Sequence, residues 1–391
     1  MSKWKKVRLG DVCDTNIATL SSKTDFIIDY IDISSVDNEK KEIISYKTYS
    51  SDEAPSRAKL LIKKHDVLVS TVRPNLNAVA LVSTETSNRM VASTGFCILR
   101  SNDLLDCNYL FHFTKSNTFI RKLMSVAKGA SYPAVSNSDV YGTLIPLPPL
   151  NIQKQIAREL DTVSELLKLR KQQLEELDQL TKSVFYEMFG DPVTNERGWE
   201  LKRISDICMI NPKKSELGKI EDETLVSFVP MNSVSESGDI DTSQTKEYKE
   251  VQTGFTYFRE NDVLFAKITP CMENGKGAIA RNLFNSIGFG STEFHVLRPI
   301  ENVSDSEWLY RLTSLPVFRI NAENNMTGSA GQKRVPVSFF EMFHVGLPPI
   351  SLQQRYASIV TQIESQKALV KKSIDETQLL FDSLMSKYFD D

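Results

Sequence analysis

Histidine is scarce in this chain of 391 residues, and its five cysteines show no Cys-x-x-Cys spacing. The odd number (Cys13, Cys97, Cys107, Cys208, Cys271) argues against a disulfide framework, and the missing spacing argues against a zinc ribbon. Reduced, mostly buried thiols are expected. No apolar run approaches the roughly 20 residues that span a bilayer, and Met1 to Asp14 is charged without an apolar signal-peptide core. A cytoplasmic protein is expected.

Catalytic motifs are missing as well. There is no Gly-x-x-x-x-Gly-Lys-Ser/Thr loop, no His-Glu-x-x-His and no Gly-x-Ser-x-Gly, and His65, His112, His295 and His344 are scattered. Asn211-Pro212-Lys213-Lys214 begins like the Asn-Pro-Pro-Tyr of adenine methyltransferases but lacks the second proline and the aromatic that would stack on a flipped base. Glu247-Tyr248-Lys249 has the Glu-x-Lys spacing of many nucleases without a matching upstream acid, and reads as a surface ion pair. Gly275-Lys276-Gly277 reads as a turn. No enzymatic activity is expected of this chain.

Glycine and proline are also missing from two long segments, and these organise the rest. Leu147-Pro148-Pro149-Leu150-Asn151-Ile152-Gln153-Lys154-Gln155-Ile156-Ala157 opens a segment running to Phe189. Leu347-Pro348-Pro349-Ile350-Ser351-Leu352-Gln353-Gln354-Arg355-Tyr356-Ala357 opens another running to Phe389, in step at an offset of 200. Two long helices are predicted, with Asn151 and Ser351 as N-caps and Ser351 with Gln354 as a capping box. Gly190-Asp191-Pro192 ends the first.

Each helix carries a heptad seam. Ile156, Val163, Arg170, Leu177 and Val184 alternate with Leu160, Leu167, Leu174, Thr181 and Met188 in the first. Tyr356, Ile363, Val370, Thr377 and Leu384 alternate with Val360, Lys367, Ile374, Phe381 and Tyr388 in the second. Such seams predict a coiled-coil pair, antiparallel because two equivalent units in one chain most simply relate by a pseudo-two-fold axis.

The remainder repeats too. Trp4 to Cys13 aligns with Trp199 to Cys208 at an offset of 195, and Asp66-Val67-Leu68 with Asp262-Val263-Leu264 at 196. Ser93-Thr94-Gly95-Phe96 aligns with Ser291-Thr292-Glu293-Phe294 at 198, and Tyr109-Leu110 with Trp308-Leu309 at 199. Short β-branched runs at 26–33, 66–72, 78–82 and 96–99 predict strands, and Tyr109 to Ser125 predicts one helix. The expected fold is α+β: two α/β domains in tandem (1–145 and 192–345), each followed by a long helix (146–191 and 346–391). The net charge of −3 lies in the stretches 151–191 and 351–391, which hold 11 basic and 14 acidic residues; the remainder has 36 of each. The domains are therefore neutral, with room for local basic loops.

A variable α/β domain followed by Leu-Pro-Pro, a Gln-containing helix start and a long helix, all occurring twice, resembles the specificity (S) subunit of type I restriction-modification systems. Leu147-Pro148-Pro149 with Gln153, Ile156 and Ala157 carries the likeness, as does Leu347-Pro348-Pro349 with Gln353, Tyr356 and Ala357. Tyr356 stands where the family usually has an aliphatic residue. The resemblance implies that each globular segment is a target-recognition domain reading one half of a split sequence in double-stranded DNA, with the helices as a ruler. It further implies docking of two methyltransferase subunits, with restriction subunits in the full complex. Gln153, Ile156, Leu160, Gln353, Tyr356 and Val360 are the candidate partner contacts. This chain is expected to bind no cofactor, S-adenosylmethionine, ATP and magnesium belonging to the partners.

Loops with side chains suited to phosphates and base edges are the candidate DNA contacts. In the first domain these are Ser70, Thr71, Arg73, Asn75 and Asn77, then Lys128 to hold a phosphate, Ser131, and Tyr132 to stack or wedge. The second domain offers Lys267, Thr269, Asn274 and Lys276, then Ser329, Gln332, Lys333 and Arg334. Arg73, Lys333 and Arg334 lead, because Arg and Lys make the commonest specific contacts to guanine. Two rivals from other classes are a coiled-coil scaffold that binds no DNA and an enzyme fusion containing a nuclease.

Overall fold

The computed structural model describes residues 4–20, 26–50, 52–129, 131–329 and 331–390. The chain forms two compact units: Met1–Gln172 with Lys371–Asp391, and Gln173–Val370.

In the first unit a four-stranded sheet runs in the order Lys47–Ser50, Ile27–Ile31, Arg89–Ser93, Ala58–Leu61, with the middle two strands parallel. A second sheet is ordered Cys13–Asp14, Phe96–Ser101, Val67–Ser70, Val79–Leu81. Between the sheets pack Ile31, Leu68, Ala80, Phe96 and Ile98. The strands expected at 26–33, 66–72, 78–82 and 96–99 are all present, the first three with trimmed ends and the last running on to Ser101.

The second unit repeats this topology. Thr245–Glu247, Leu225–Val229, Ile287–Gly290 and Thr256–Arg259 make one sheet, again with a parallel central pair. Cys208–Ile210, Phe294–Pro299, Val263–Ala266 and Gly277–Ile279 make the other. One device neither domain advertised is a buried ion pair at the same place in each. Asp66 takes Arg100 in a two-pronged grip at 2.8 and 2.7 Å, and Asp262 takes Arg298 at 2.7 and 2.7 Å. The aligned aspartates are thus structural, each almost wholly buried.

The helix expected over Tyr109 to Ser125 is two helices, Cys107–Thr114 and Asn117–Val126. Ser116 breaks it by accepting from the Phe119 N–H, a local cap that competes with helix continuation. In the second unit Pro316 makes the same break between Ser306–Ser314 and Pro316–Asn324.

The two long helices are Leu150–Phe189 and Ile350–Phe389. Both start two residues earlier than expected, so Asn151 and Ser351 lie in the first turn and the Ser351–Gln354 capping box is not made. The Gln153 and Gln353 N–H groups bond instead to Pro149 and Pro349 carbonyls. Within each unit the beginning of one helix pairs antiparallel with the end of the other. Tyr388 donates to Glu159 at 2.5 Å in the first unit, and Lys367 reaches Asp178 at 2.6 Å in the second. Every seam position is buried or half-buried, and the polar ones find partners: Arg170 donates to the Ser373 carbonyl and the Thr377 hydroxyl.

The far end of each helix finishes a core. Met385 and Phe389 join Leu9, Tyr109, Phe113 and Leu160 in the first unit, while Phe185 and Phe189 join Trp308, Tyr356 and Val360 in the second. All five cysteines are free, and burial pushes the Cys13 and Cys97 thiols up to about 12. No helix among the described residues is long and apolar enough to cross a membrane.

Candidate nucleic-acid interface

The two candidate loops of the first domain are one surface. Val72 bridges Ala134, Ala134 bridges Lys128, the Arg73 N–H donates to the Pro133 carbonyl at 2.7 Å, and Val135 donates to Thr71 at 2.9 Å. Backbone hydrogen bonds so placed fix side chains that lie about sixty residues apart in sequence. The Arg73 guanidinium lies 4.5 Å from the centre of the exposed Tyr132 ring, a cation–π contact that leaves its edge free for an acceptor. Arg73 itself has φ +51°, a left-handed conformation that non-glycine residues adopt only under constraint.

Arg73, Asn75, Lys128, Ser131 and Tyr132 are exposed; Ser70, Thr71 and Asn77 are not. Those three build the loop instead. The Ser70 hydroxyl donates to the Val72 carbonyl, the Thr71 hydroxyl donates to the Gly95 carbonyl, and the Asn77 carbonyl accepts from Lys41 Nζ at 2.7 Å.

The same zip recurs in the second domain. Ile268 and Thr327 bridge Arg334, the Thr269 N–H donates to Lys333, and Val335 donates to Lys267. Its exposed side chains differ: Asn274, Ser329, Gln332 and Lys333 face solvent, and Lys267, Thr269 and Lys276 are half-buried. Thr269 donates to Glu273 at 2.7 Å, and Lys276 Nζ to the Met231 carbonyl at 3.3 Å. Arg334 is partly tied to its own chain. Glu293 holds its Nε and Nη2 at 2.9 and 2.8 Å, and Nη1 donates to the Gln332 carbonyl, which uses three of the five guanidinium N–H groups. Those hydrogen bonds hold the Glu293 carboxyl below its ordinary range.

Two residues that sequence reasoning missed support this second surface. Arg319, nearly buried, points its guanidinium at the carbonyls of Thr313, Met272, Gly275 and Lys276, tying down the loop that carries Asn274. Burial lowers it to about 10, so it stays charged at neutral pH. His295 accepts from the Asn211 side-chain amide at Nδ1 and donates from Nε2 to the Val335 carbonyl at 2.8 Å. Asn211 Oδ1 accepts from the Val296 N–H, which fixes the amide's orientation and hence the imidazole tautomer. Burial lowers His295 to about 4.

The six expected partner contacts are turned inward. Gln153 and Gln353 are fully buried, and each makes the same three bonds. Gln153 accepts from the Asp106 N–H and donates to the Leu104 and Pro148 carbonyls; Gln353 accepts from Asp305 and donates to Val303 and Pro348. Ile156, Leu160, Tyr356 and Val360 belong to the unit cores. The exposed apolar side chains on the helices are others, and two pairs of them recur at the 200-residue offset: Leu169 with Leu369, and Leu180 with Leu380. At the surface Lys249 pairs with Glu247, as expected of that motif.

A duplicated α/β domain with a zipped pair of loops in each copy, joined to two long helices, defines a tandem-repeat module of two equivalent halves. The family model for the type I restriction modification DNA specificity domain matches residues 1–179 and 196–378, and the chain belongs to that family. It is 36% identical over 264 residues to the EcoAI specificity subunit of Escherichia coli and 34% identical over 265 residues to the EcoEI subunit. Each match covers 64% of this chain but only 42% of the relative's length. The MjaIX specificity subunit of Methanocaldococcus jannaschii is 22% identical over 86% of this chain and 80% of its own.

Among solved structures, a chain from work on complex assembly and conformational transition of the type I R-M system gives a TM-score of 0.64 at 26% identity, covering 99% of this chain and 97% of that one. The S subunit from M. genitalium shares the fold at a TM-score of 0.55 and 14% identity, covering 100% and 97%.

Proposed function

We propose that this chain is the non-catalytic, sequence-reading subunit of a type I restriction-modification complex. It binds double-stranded DNA and reads a bipartite, asymmetric target, one half with each domain. One observation carries this reading. The zipped loop pair sits at equivalent places in both repeats, yet presents Arg73 and Tyr132 in one and Asn274, Gln332 and Lys333 in the other. Equivalent scaffolds with different polar side chains suit two readers of different bases.

The helices set the spacing of the half-sites. A helix of 40 residues is about 60 Å long, stiff enough to hold two readers about one or more DNA turns apart. Two methyltransferase subunits dock on the exposed leucine pairs Leu169/Leu369 and Leu180/Leu380, and restriction subunits join the full complex. S-adenosylmethionine, ATP and magnesium act on those partners.

Selection from random-sequence DNA by the chain assembled with its methyltransferase subunits tests the proposal. Enrichment of one split motif is expected. No enrichment overturns it, and cleavage by the chain alone would make it an enzyme. Removing one heptad from both helices should shorten the motif's spacer; an unchanged spacer rules out the spacing role.

A further inference from the structure

The two domains differ at one sheet edge. In the first, the outer edge of strand Ala58–Leu61 is covered by the chain itself: Leu20 donates to the Lys59 carbonyl at 2.7 Å, Leu61 donates to Ala18 at 2.9 Å, and Thr19 bridges Leu60. Tyr257 pairs with Phe289 in the second domain as Leu61 pairs with Val91 in the first. The groups equivalent to that covered pair are therefore the Phe255 carbonyl and the Tyr257 N–H. Among the described residues they meet no such segment. The stretch beginning at Asn211, which corresponds to Asn16 onward, stands off and forms the opposite wall of a cleft of about 630 Å³.

Lys213, Lys214 and Lys267 line this cleft, and no acidic side chain does; Lys214 Nζ donates across it to the Gln252 carbonyl with one of its three N–H groups. The nearby Glu216 is already engaged by Tyr257 and Arg298. Phe255, partly exposed, packs edge-on to Phe228 with ring centres 5.0 Å apart, and Lys246 Nζ stands 4.3 Å over Phe228. Lys267 belongs at once to the cleft and to the zipped loops, making the two surfaces continuous. The first domain has Ala18, Thr19 and Thr71 at the corresponding positions, none of them charged.

We propose that this cleft is a phosphodiester clamp peculiar to the second domain: Lys213 and Lys214 hold the DNA backbone flanking the half-site that this domain reads. The open sheet edge supplies the room, and the lysines supply the charge. The inference rests on the DNA-reading role proposed above. It makes the complex electrostatically lopsided, with a longer grip on one flank of its target.

The test compares the assembled complex carrying wild-type chain with one carrying Lys213→Gln and Lys214→Gln together, on the selected target duplex. Loss of two phosphate contacts should make the slope of log K against log salt shallower by about 1.8. Ethylation interference should disappear on the flank of the second domain's half-site and persist at the other, with the selected motif unchanged. An unchanged slope and interference pattern, with the wild-type complex still bound, overturns the clamp alone. A wild-type complex that binds no DNA overturns the reading role beneath it. Loss of a protein partner without a change in slope assigns the cleft to protein and overturns the clamp.

Discussion

Phe389, the last residue of the second long helix, packs its ring 5.2 Å from that of Tyr109 in the first domain. It also meets Phe113 at 5.8 Å. Phe189 plays the same part for the second unit, 5.5 Å from Tyr356. Phe389→Ala should therefore destabilise the first unit by about 3–5 kcal/mol, the usual cost of emptying a buried aromatic site. Hydrogen exchange resolved by unit checks it: faster exchange around Tyr109 is expected, with the second unit's sheets unaffected.

Gln153 and Gln353 stand at helix starts that suit partner contacts, and the geometry makes them struts between helix start and domain. Removing either amide leaves the half-buried N–H of Asp106 or Asp305 without its acceptor. Gln153→Ala should cost about 1 to 3 kcal/mol in chemical denaturation. Leu169→Glu with Leu369→Glu should leave stability unchanged and abolish co-purification of methyltransferase subunits. Retained assembly in that double variant would remove the leucines from the docking surface.

Arg73 and Arg334 belong to opposite strands of the two zips, Arg334 standing where the first domain has Ala134, and their substitutions should differ. Arg73→Ala should relax discrimination at one half-site by about 1 to 3 kcal/mol, if its free edge meets guanine. Arg334→Ala leaves Glu293 unpaired beside the surface, so binding should weaken on every sequence alike, and adding Glu293→Gln should restore it. Affinity measured over a panel of single-base target variants separates the two patterns.

His295 gives the second domain a pH dependence of known sign. Its pKa falls from the ordinary histidine range to about 4 on folding, because burial penalises the imidazolium. The unfolded chain then binds more protons between about pH 6.5 and 4, so this contribution to stability is complete above about 6.5 and is lost as pH falls toward 4. Protonation would also place an N–H against the Asn211 amide, which donates to Nδ1. Denaturant midpoints at pH 7.5 and 5 should diverge less in His295→Gln than in the wild type. Amide exchange at Val335 should rise on acidification in the wild type.

Periodicity made much of this legible. The duplication, the long helices and their seams follow from offsets and heptads, and even the polar seam residues Arg170 and Lys367 sit where the pattern put them. Local competition hid the break at Ser116, since a serine inside an amphipathic run differs little from one that caps. Contacts between distant segments were hidden altogether. Nothing near Arg334 announces Glu293, which stands where the first repeat has Gly95. Glutamine at a helix start is equally compatible with a docking surface and with a buried strut, and only the surrounding carbonyls of Leu104 and Pro148 decide it.

The position of Phe389 also imposes an order of events in the cell. Residues 1–145 leave the ribosome first, yet their core lacks Met385 and Phe389 until the second helix has been made. The second domain, by contrast, has Phe185 and Phe189 waiting before its own strands appear. Of the two domains the earlier in sequence is thus the later to be finished, its aromatic socket standing open until the second helix has been made.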